Sequence, residues 1–213
     1  MAHVAATIAH DYDAVAEDYL ERFVHQLDRR PLQRAMLAMF AARCQEHSDL
    51  PVLDAGCGPG HVAAFLAREG LRIEGIDVSA AMIDLARSRY PDDKLSFRLG
   101  ELDTLPCPDG AYAGTLSRYS IIHTPPADLP GQLAELVRVT ADGGHLLLFF
   151  HATTGEPHGT PFDHAVTTGY RHDLDVVYNL LSEFGCRHIT RAERGPGPDE
   201  RFVQAALLVR KSA

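Results

Sequence analysis

Apolar residues recur along the chain in two rhythms. Val15, Tyr19, Phe23 and Leu27 fall four apart, which is the repeat of one helix face. After Pro31, a favoured first helical residue, Leu32, Ala35, Met36, Met39 and Phe40 make a second helical stripe. From residue 51 onward, short apolar runs alternate with helical stripes. "PVLDAG" reads as a buried strand, and the helix after it carries Val62, Phe65 and Leu66 and stops at Gly70. "LRIEGID" is a second strand; Ser79 then caps a helix with Met82, Leu85 and Ala86 that ends before Pro91. "LSFRLG", "AYAGTLSRY" and "GGHLLLFF" supply three more strands. Between them lie the turn-rich "ELDTLPCPDG" and a helix over 128–139 with Leu129, Leu133, Leu136 and Val137 on one side. Residues 151–173 read as a loop-rich interruption. Asp173 caps a last helix (Leu174, Val177, Leu180, Leu181, Phe184) ending at Gly185. "CRHITRAERG", the turn "PGPD" and "RFVQAALLVRK" close the chain as an antiparallel hairpin.

Alternation of strand and helix through five strands predicts an α/β fold, a doubly wound parallel sheet with helices on both faces. No repeat, low-complexity tract or linker divides the sequence, so residues 1–213 are expected to form a single domain. The 213 residues, 46% of them hydrophobic, suffice for one sizeable core. A net charge of −9 with no lysine- or arginine-rich run speaks against nucleic acid as a partner. No apolar stretch approaches the roughly 18 to 20 residues of a membrane span. "MAHVAATIAHDYDA" has neither a basic start nor an apolar block with a cleavage site, so no signal peptide is expected. Cys44, Cys57, Cys107 and Cys186 are scattered without CxxC spacing, the pattern of reduced thiols in a cytoplasmic protein.

The candidate chemistry begins at "VLDAGCGPG", with Gly56, Gly58 and Gly60 between a strand and a helix. Such a turn sets bare backbone beside a ligand at the carboxyl edge of a sheet. Dinucleotide sites use G-x-G-x-x-G, whereas here the spacing is G-x-G-x-G, His61 replaces the last glycine, and Pro59 removes an N–H donor. Asp54 would repel a pyrophosphate and welcome an ammonium or sulfonium. Asp77, 21 positions after Gly56, is placed to accept both hydroxyls of a ribose. These residues suit an adenosine with a cationic tail better than a diphosphate.

That combination resembles the class I S-adenosylmethionine-dependent methyltransferases of small-molecule type. "VLDAGCGPG" is similar to their first motif and "GIDVSAAMIDLAR" to the ribose-and-adenine segment. "LGELDTLPCPDG" resembles "GDAxxLPFxD", "GGHLLLFF" the fifth-strand motif, and "HDYDAVAEDY" the opening "YDxxAxxY". The resemblance implies a seven-stranded Rossmann-like sheet, mostly parallel with an antiparallel last strand, and S-adenosyl-L-methionine as cofactor. It implies that Asp54, Ala55, Gly56, Gly58 and Gly60 cradle the methionine part, Asp77 holds the ribose, and Val78 and Met82 flank the adenine. Glu101 and Leu102 would meet the adenine edge, although the family more often has Asp-Ala there. Ser117 would lie near the amino-acid end, and Tyr12 and Tyr19 would help cover the cofactor from an N-terminal helical lid spanning 1–48. Core packing stays open for Met82, Tyr12 and Tyr19, all at helical spacings.

Methyl transfer from a sulfonium needs the nucleophile held about 3 Å from the carbon, in line with the leaving sulfur. It needs a base only when the acceptor arrives protonated. His123, after the fourth strand, is the candidate base or orienting group, with loop packing as its other reading. Arg118 and Tyr119 are candidates for an acceptor carboxylate or phenol. Residues 151–173 form an insertion on the substrate side, with His151, Phe162 and Tyr170 as candidate pocket residues and His158, His164 and His172 nearby. No HxH or HxxxH pair occurs there, so no metal is expected. "HTPPAD" lacks the Asn and the aromatic of the nucleic-acid amino-methyltransferase motif, which favours a small-molecule acceptor, of a specialised metabolite's kind, with no membrane partner. Two alternatives stand beside the O-, N- or C-methyltransferase reading: a non-catalytic or cyclase-like cofactor-binding member of the fold, and an NAD(P)-dependent oxidoreductase. Monomer and homodimer stay equally open.

Overall fold

The computed structural model describes residues 2–198 and 200–213; Asp199, in the predicted turn, and Met1 lie outside the described residues. In chain order the helices are α1 (Ala2–Asp13), α2 (Ala16–Phe23), α3 (Pro31–His47), α4 (His61–Arg68), α5 (Ala80–Arg89), α6 (Leu129–Val139) and α7 (Leu174–Glu183). The strands are β1 (Val52–Ala55), β2 (Ile73–Asp77), β3 (Leu95–Leu99), β4 (Tyr112–Arg118), β5 (Thr140–His151), β6 (Thr160–Asp163), β7 (Thr168–Arg171), β8 (Cys186–Arg194) and β9 (Gln204–Lys211). Seven of them form one sheet in the order β3-β2-β1-β4-β5-β9-β8. β9 runs antiparallel between β5 and β8, and the other pairs are parallel. The strand order reverses at β1 and β4, so their carboxyl ends open the crevice where ligands of such sheets bind.

Burial explains the arrangement. β1 and β9 present long buried runs because they are covered on both faces, and the sheet separates two apolar clusters. One packs α6 and α7 through Leu133, Leu136, Val177 and Leu181; the other packs α3 and α4 through Phe40, Ala41, Val62 and Leu66. All four cysteines are buried and unpaired. No described helix is long and apolar enough to cross a membrane.

Three expectations need correction. The stripe predicted through residues 15–27 is broken into α2 and a 3-10 turn at Gln26–Arg29, and α1 precedes it. On α3 the buried face is Gln33, Met36, Leu37, Phe40, Ala41 and Cys44, one position round from the predicted stripe, leaving Ala35 exposed. Residues 151–173 are more ordered than a loop. β6 and β7 form an antiparallel hairpin there, tied down by His172 N–H to His151 O (2.9 Å) and by His172 Nε2 to Ile121 O (3.0 Å).

The three glycines of the β1–α4 turn all take positive φ, for different reasons. A side chain on Gly56 would collide with Ser120, and one on Gly60 would sit 2.9 Å from the Phe97 ring and 3.0 Å from Ala86. Nothing lies within 4 Å of the position a Gly58 side chain would take. Gly60→Ala is therefore expected to cost roughly 2–4 kcal/mol, combining left-handed strain with overpacking. The matching fall in Tm is about 5–15 °C. Gly58→Ala carries only the conformational part, and equal Tm losses for the two would refute this division of labour.

Candidate active site

Above the carboxyl ends of β1, β2 and β4 lies a cleft of about 980 Å³, counting space open to solvent. Its walls bring together residues from distant parts of the chain. Gly56, Gly58, Asp77, Val78, Glu101 and Leu102 come from the sheet edge and Met82 from α5; Tyr12 and Tyr19 come from α1 and α2; Arg118 ends β4, and Tyr119, Ser120 and His123 follow it. Asp54, Ala55, Gly60 and Ser117 do not line it. Ser117 Oγ–H donates to Ser120 Oγ (2.6 Å), whose own hydrogen goes to Ala55 O (2.8 Å). Ser117 and Ala55 thus act on the wall through Ser120, and Gly60 packs toward Phe97.

The turn itself is self-satisfied. Gly56 N and Cys57 N donate to Ile76 O, Gly60 N donates to Cys57 O, residue 59 is proline, and Gly58 N donates to Asp77 Oδ2 at 2.8 Å. From residue 56 to residue 60 no N–H is left to cradle a phosphate. Asp77 Oδ1 accepts from Ser79 N at 3.0 Å, and burial is the main cause raising its carboxyl above the usual range. Asp54 is 1% exposed, and its Oδ2 has no hydrogen-bond partner. Burial pushes its carboxyl up to about 7, with Arg118 pulling it down and Asp77 pushing it up. A buried carboxylate that lacks a partner is costly until a cation or donor arrives. His61 is likewise buried with both ring nitrogens unpartnered, and desolvation lowers it to about 3.

His123 is buried between two partners. Its Nδ1 lies 3.0 Å from Thr168 O, an acceptor only, so Nδ1 carries the proton and Nε2 accepts from Tyr12 O–H at 2.8 Å. Desolvation lowers the imidazole to about 4 and raises the Tyr12 hydroxyl well above its ordinary value, so both are neutral near pH 7. Tyr119 has φ +57°, an uncommon conformation for a bulky residue. Its hydroxyl is fully used, accepting from Gln33 Nε2 and donating to Gln204 Oε1, each at 2.6 Å. Tyr119, a candidate for meeting an acceptor, lines the cleft with its hydroxyl already engaged by these two glutamines.

A second cleft adjoins the first and shares Tyr19, Arg118 and Tyr119 with it. His151, Phe162 and His164 line it from the β6–β7 side, but Tyr170 lines neither cleft. Of the other insertion histidines, His158 Nδ1 accepts from Asp173 N at 3.1 Å, and His172 is fully buried. Among the described residues no group of three His, Cys, Asp or Glu side chains is arranged to hold a metal ion.

Three residues of this region escaped sequence reasoning. Asp13 accepts from Ser79 Oγ (2.6 Å) and Ala81 N (3.0 Å), fastening α1 to the start of α5 beside Asp77. Asp103 lines the first cleft with a buried, unpartnered Oδ1. Gln33 joins Tyr119 to Arg118; its available signal was a polar residue in register with the apolar face of α3.

Comparison with known proteins agrees with this geometry. Residues 52–144 match the family model described as a methyltransferase domain. A malonyl-[acyl-carrier protein] O-methyltransferase from Serratia marcescens is 34% identical over 184 residues, covering 78% of this chain and 71% of the relative. The chain belongs to the class I S-adenosylmethionine-dependent methyltransferases. The enzyme of the same description from Yersinia pestis is 35% identical over 78% of this chain, which spans 60% of that protein's length. The magnesium protoporphyrin IX methyltransferase of Synechocystis PCC 6803, solved with the cofactor bound, superposes with a TM-score of 0.73 at 17% identity, covering 98% of this chain and 97% of that one. The seven-stranded, mostly parallel sheet is that of this methyltransferase class, and S-adenosyl-L-methionine is its cofactor. The orphaned Asp54 oxygen, the open space over Gly58 and the Asp77 carboxylate suit that cofactor's cationic and sugar parts.

Proposed function

We propose that this methyltransferase acts on an O, N or C nucleophile of a small-molecule acceptor, a specialised metabolite, in the cytoplasm. Val78, Met82 and Leu102 flank the adenine, and Glu101 and Asp103 supply acceptors for its amino group. Asp77 keeps lone pairs on both oxygens for the ribose hydroxyls. Asp54, buried beneath the cleft wall, attracts the methionine ammonium through water across the bare Gly56–Gly58 turn, and Tyr12 and Tyr19 roof the site. S-adenosylmethionine supplies a methyl group already activated on a sulfonium, so the protein's tasks are to position the acceptor and to receive its proton. Tyr12 O–H hands its proton to His123 Nε2 as it takes the acceptor's, and Thr168 O holds the other ring nitrogen in place. A buried imidazole keeps that lone pair free at neutral pH, because desolvation opposes its charging.

The observation that supports this reading above others is the turn with no spare N–H beside an unpartnered buried carboxylate. Such a site suits a cationic sulfur nucleoside and repels a pyrophosphate. The reading is tested by incubating the protein with methyl-labelled cofactor and fractionated metabolite extracts. Label is expected in a small organic product with wild type and to be lost with Asp77→Ala. Calorimetric binding of NADH without binding of S-adenosylmethionine would overturn it.

A further inference from the structure

The second cleft carries a chemistry that the transfer reaction itself does not require. Its walls are ringed by aromatic side chains on two sides. Tyr19 and Phe23 stand together on α2 with centroids 4.4 Å apart. Opposite them, Phe162 packs on Phe202 (4.8 Å) and on His151 (5.4 Å), and His151 packs on Tyr119 (5.1 Å). Gly169 leaves the room that the Phe162 ring fills, since a side chain there would strike it. Bulky rings held by their neighbours make flat, rigid contact surfaces at low entropic cost.

At the junction of the two clefts sits Arg118. Its guanidinium is half-buried and donates only to neutral partners: from Nε and Nη2 to Gln33 Oε1 (3.3 and 3.0 Å) and from Nη2 to Gln26 Oε1 (2.8 Å), with the Tyr119 ring beneath it at 5.2 Å. Among the described residues no carboxylate forms an ion pair with it. Of the acids that line the second cleft, Asp18, Asp163 and Glu200, none is ion-paired to Arg118, and Glu200 is shared by Arg30 and Arg194. Gln26 and Gln33 fix the direction of the guanidinium without neutralising it, which leaves a preoriented fork for a planar anion.

We propose that the second cleft is the acceptor's binding site and that it takes a planar aromatic carboxylic acid. Its ring system lies between the α2 and β6–β7 aromatics, and its carboxylate is held by Arg118. A separate nucleophilic atom of the acceptor then enters the first cleft toward Tyr12 and His123. This rests on the reading of the first cleft as the cofactor and transfer site. The anchoring carboxylate is a recognition handle and stays unmethylated.

The test uses the protein loaded with S-adenosylhomocysteine and follows binding by calorimetry. The probes are 3-hydroxy-2-naphthoate, its carboxamide, and a saturated hydroxycyclohexane carboxylate. The naphthoate is expected to bind at least tenfold tighter than either analogue. Arg118→Gln should erase the gap between acid and amide; S-adenosylhomocysteine affinity, measured at pH 8.5 so that Asp54 stays ionised without Arg118 pulling its carboxyl down, should stay within about twofold. Phe162→Ala should weaken acid and amide in parallel, and circular dichroism should confirm that both variants fold. Equal binding of acid and amide to wild type would overturn the proposal. So would a loss of S-adenosylhomocysteine affinity in Arg118→Gln at pH 8.5, where Asp54 is ionised in both proteins, because Arg118 would then serve the cofactor's own carboxylate. Failure of wild type to bind S-adenosylhomocysteine at all would instead remove the underlying reading of the first cleft.

Discussion

Asp54→Asn is expected to weaken S-adenosylmethionine binding by about 10- to 100-fold, the worth of a hydrogen bond to a charged group in a buried site, 1.5–3 kcal/mol. The wild-type affinity should also depend on pH in a defined direction. Without ligand the Asp54 carboxyl titrates near 7, raised chiefly by burial. A cationic ligand favours the carboxylate, so binding pulls that value down and releases a proton wherever the free site is protonated. Below about pH 7 the Kd should therefore rise toward tenfold per pH unit, and above it the dependence on this group vanishes. Calorimetry at pH 6 in two buffers of different ionisation heat reads the proton release directly. Asn at position 54 should abolish it. A release that persists in Asp54→Asn would assign the titration to another group.

His123→Ala is expected to lower kcat by at least about 100-fold with little change in cofactor affinity, within the range of general-base contributions. Tyr12→Phe should show a similar loss, because the two side chains form one path for the proton. The pH dependence separates this pair from Asp54. His123 sits near 4 because its ring is desolvated, so kcat should stay flat from pH 8 to pH 6. Only kcat/KM for the cofactor should decline below 7. An acid limb in kcat near 6.5, or full activity in His123→Ala, would reduce His123 to a packing residue.

The β1–α4–β2–α5 core was legible because its signals are local: apolar runs of strand length, glycines at the turn and a serine cap whose Oγ does accept from Met82 N at 3.1 Å. α1 was not, since "AHVAATIAHDYD" is mostly alanine, histidine and aspartate and shows no clear apolar stripe. β6 and β7 are four residues each, and Pro161 within the first argues against a strand on sequence grounds. They exist because each supplies the other's partners. The same holds for the site. Asp77 and Gly58 could be read from spacing, whereas Asp13 and Gln33 matter through contacts 66 and 86 positions away along the chain. Gly60 completes the glycine pattern of the cofactor turn without lining the cleft, and its bare backbone also makes room for Phe97 and Ala86.

The closed hydrogen bonding of the 56–60 turn has an energetic corollary. A loop that satisfies itself keeps its shape when empty, so a ligand arriving there spends little on ordering it. The entropy of engagement then falls on the N-terminal helices, whose fastenings include Asp13 to α5 and Tyr12 to His123. Association rates should accordingly report on the roof, while equilibrium selectivity is written into the floor.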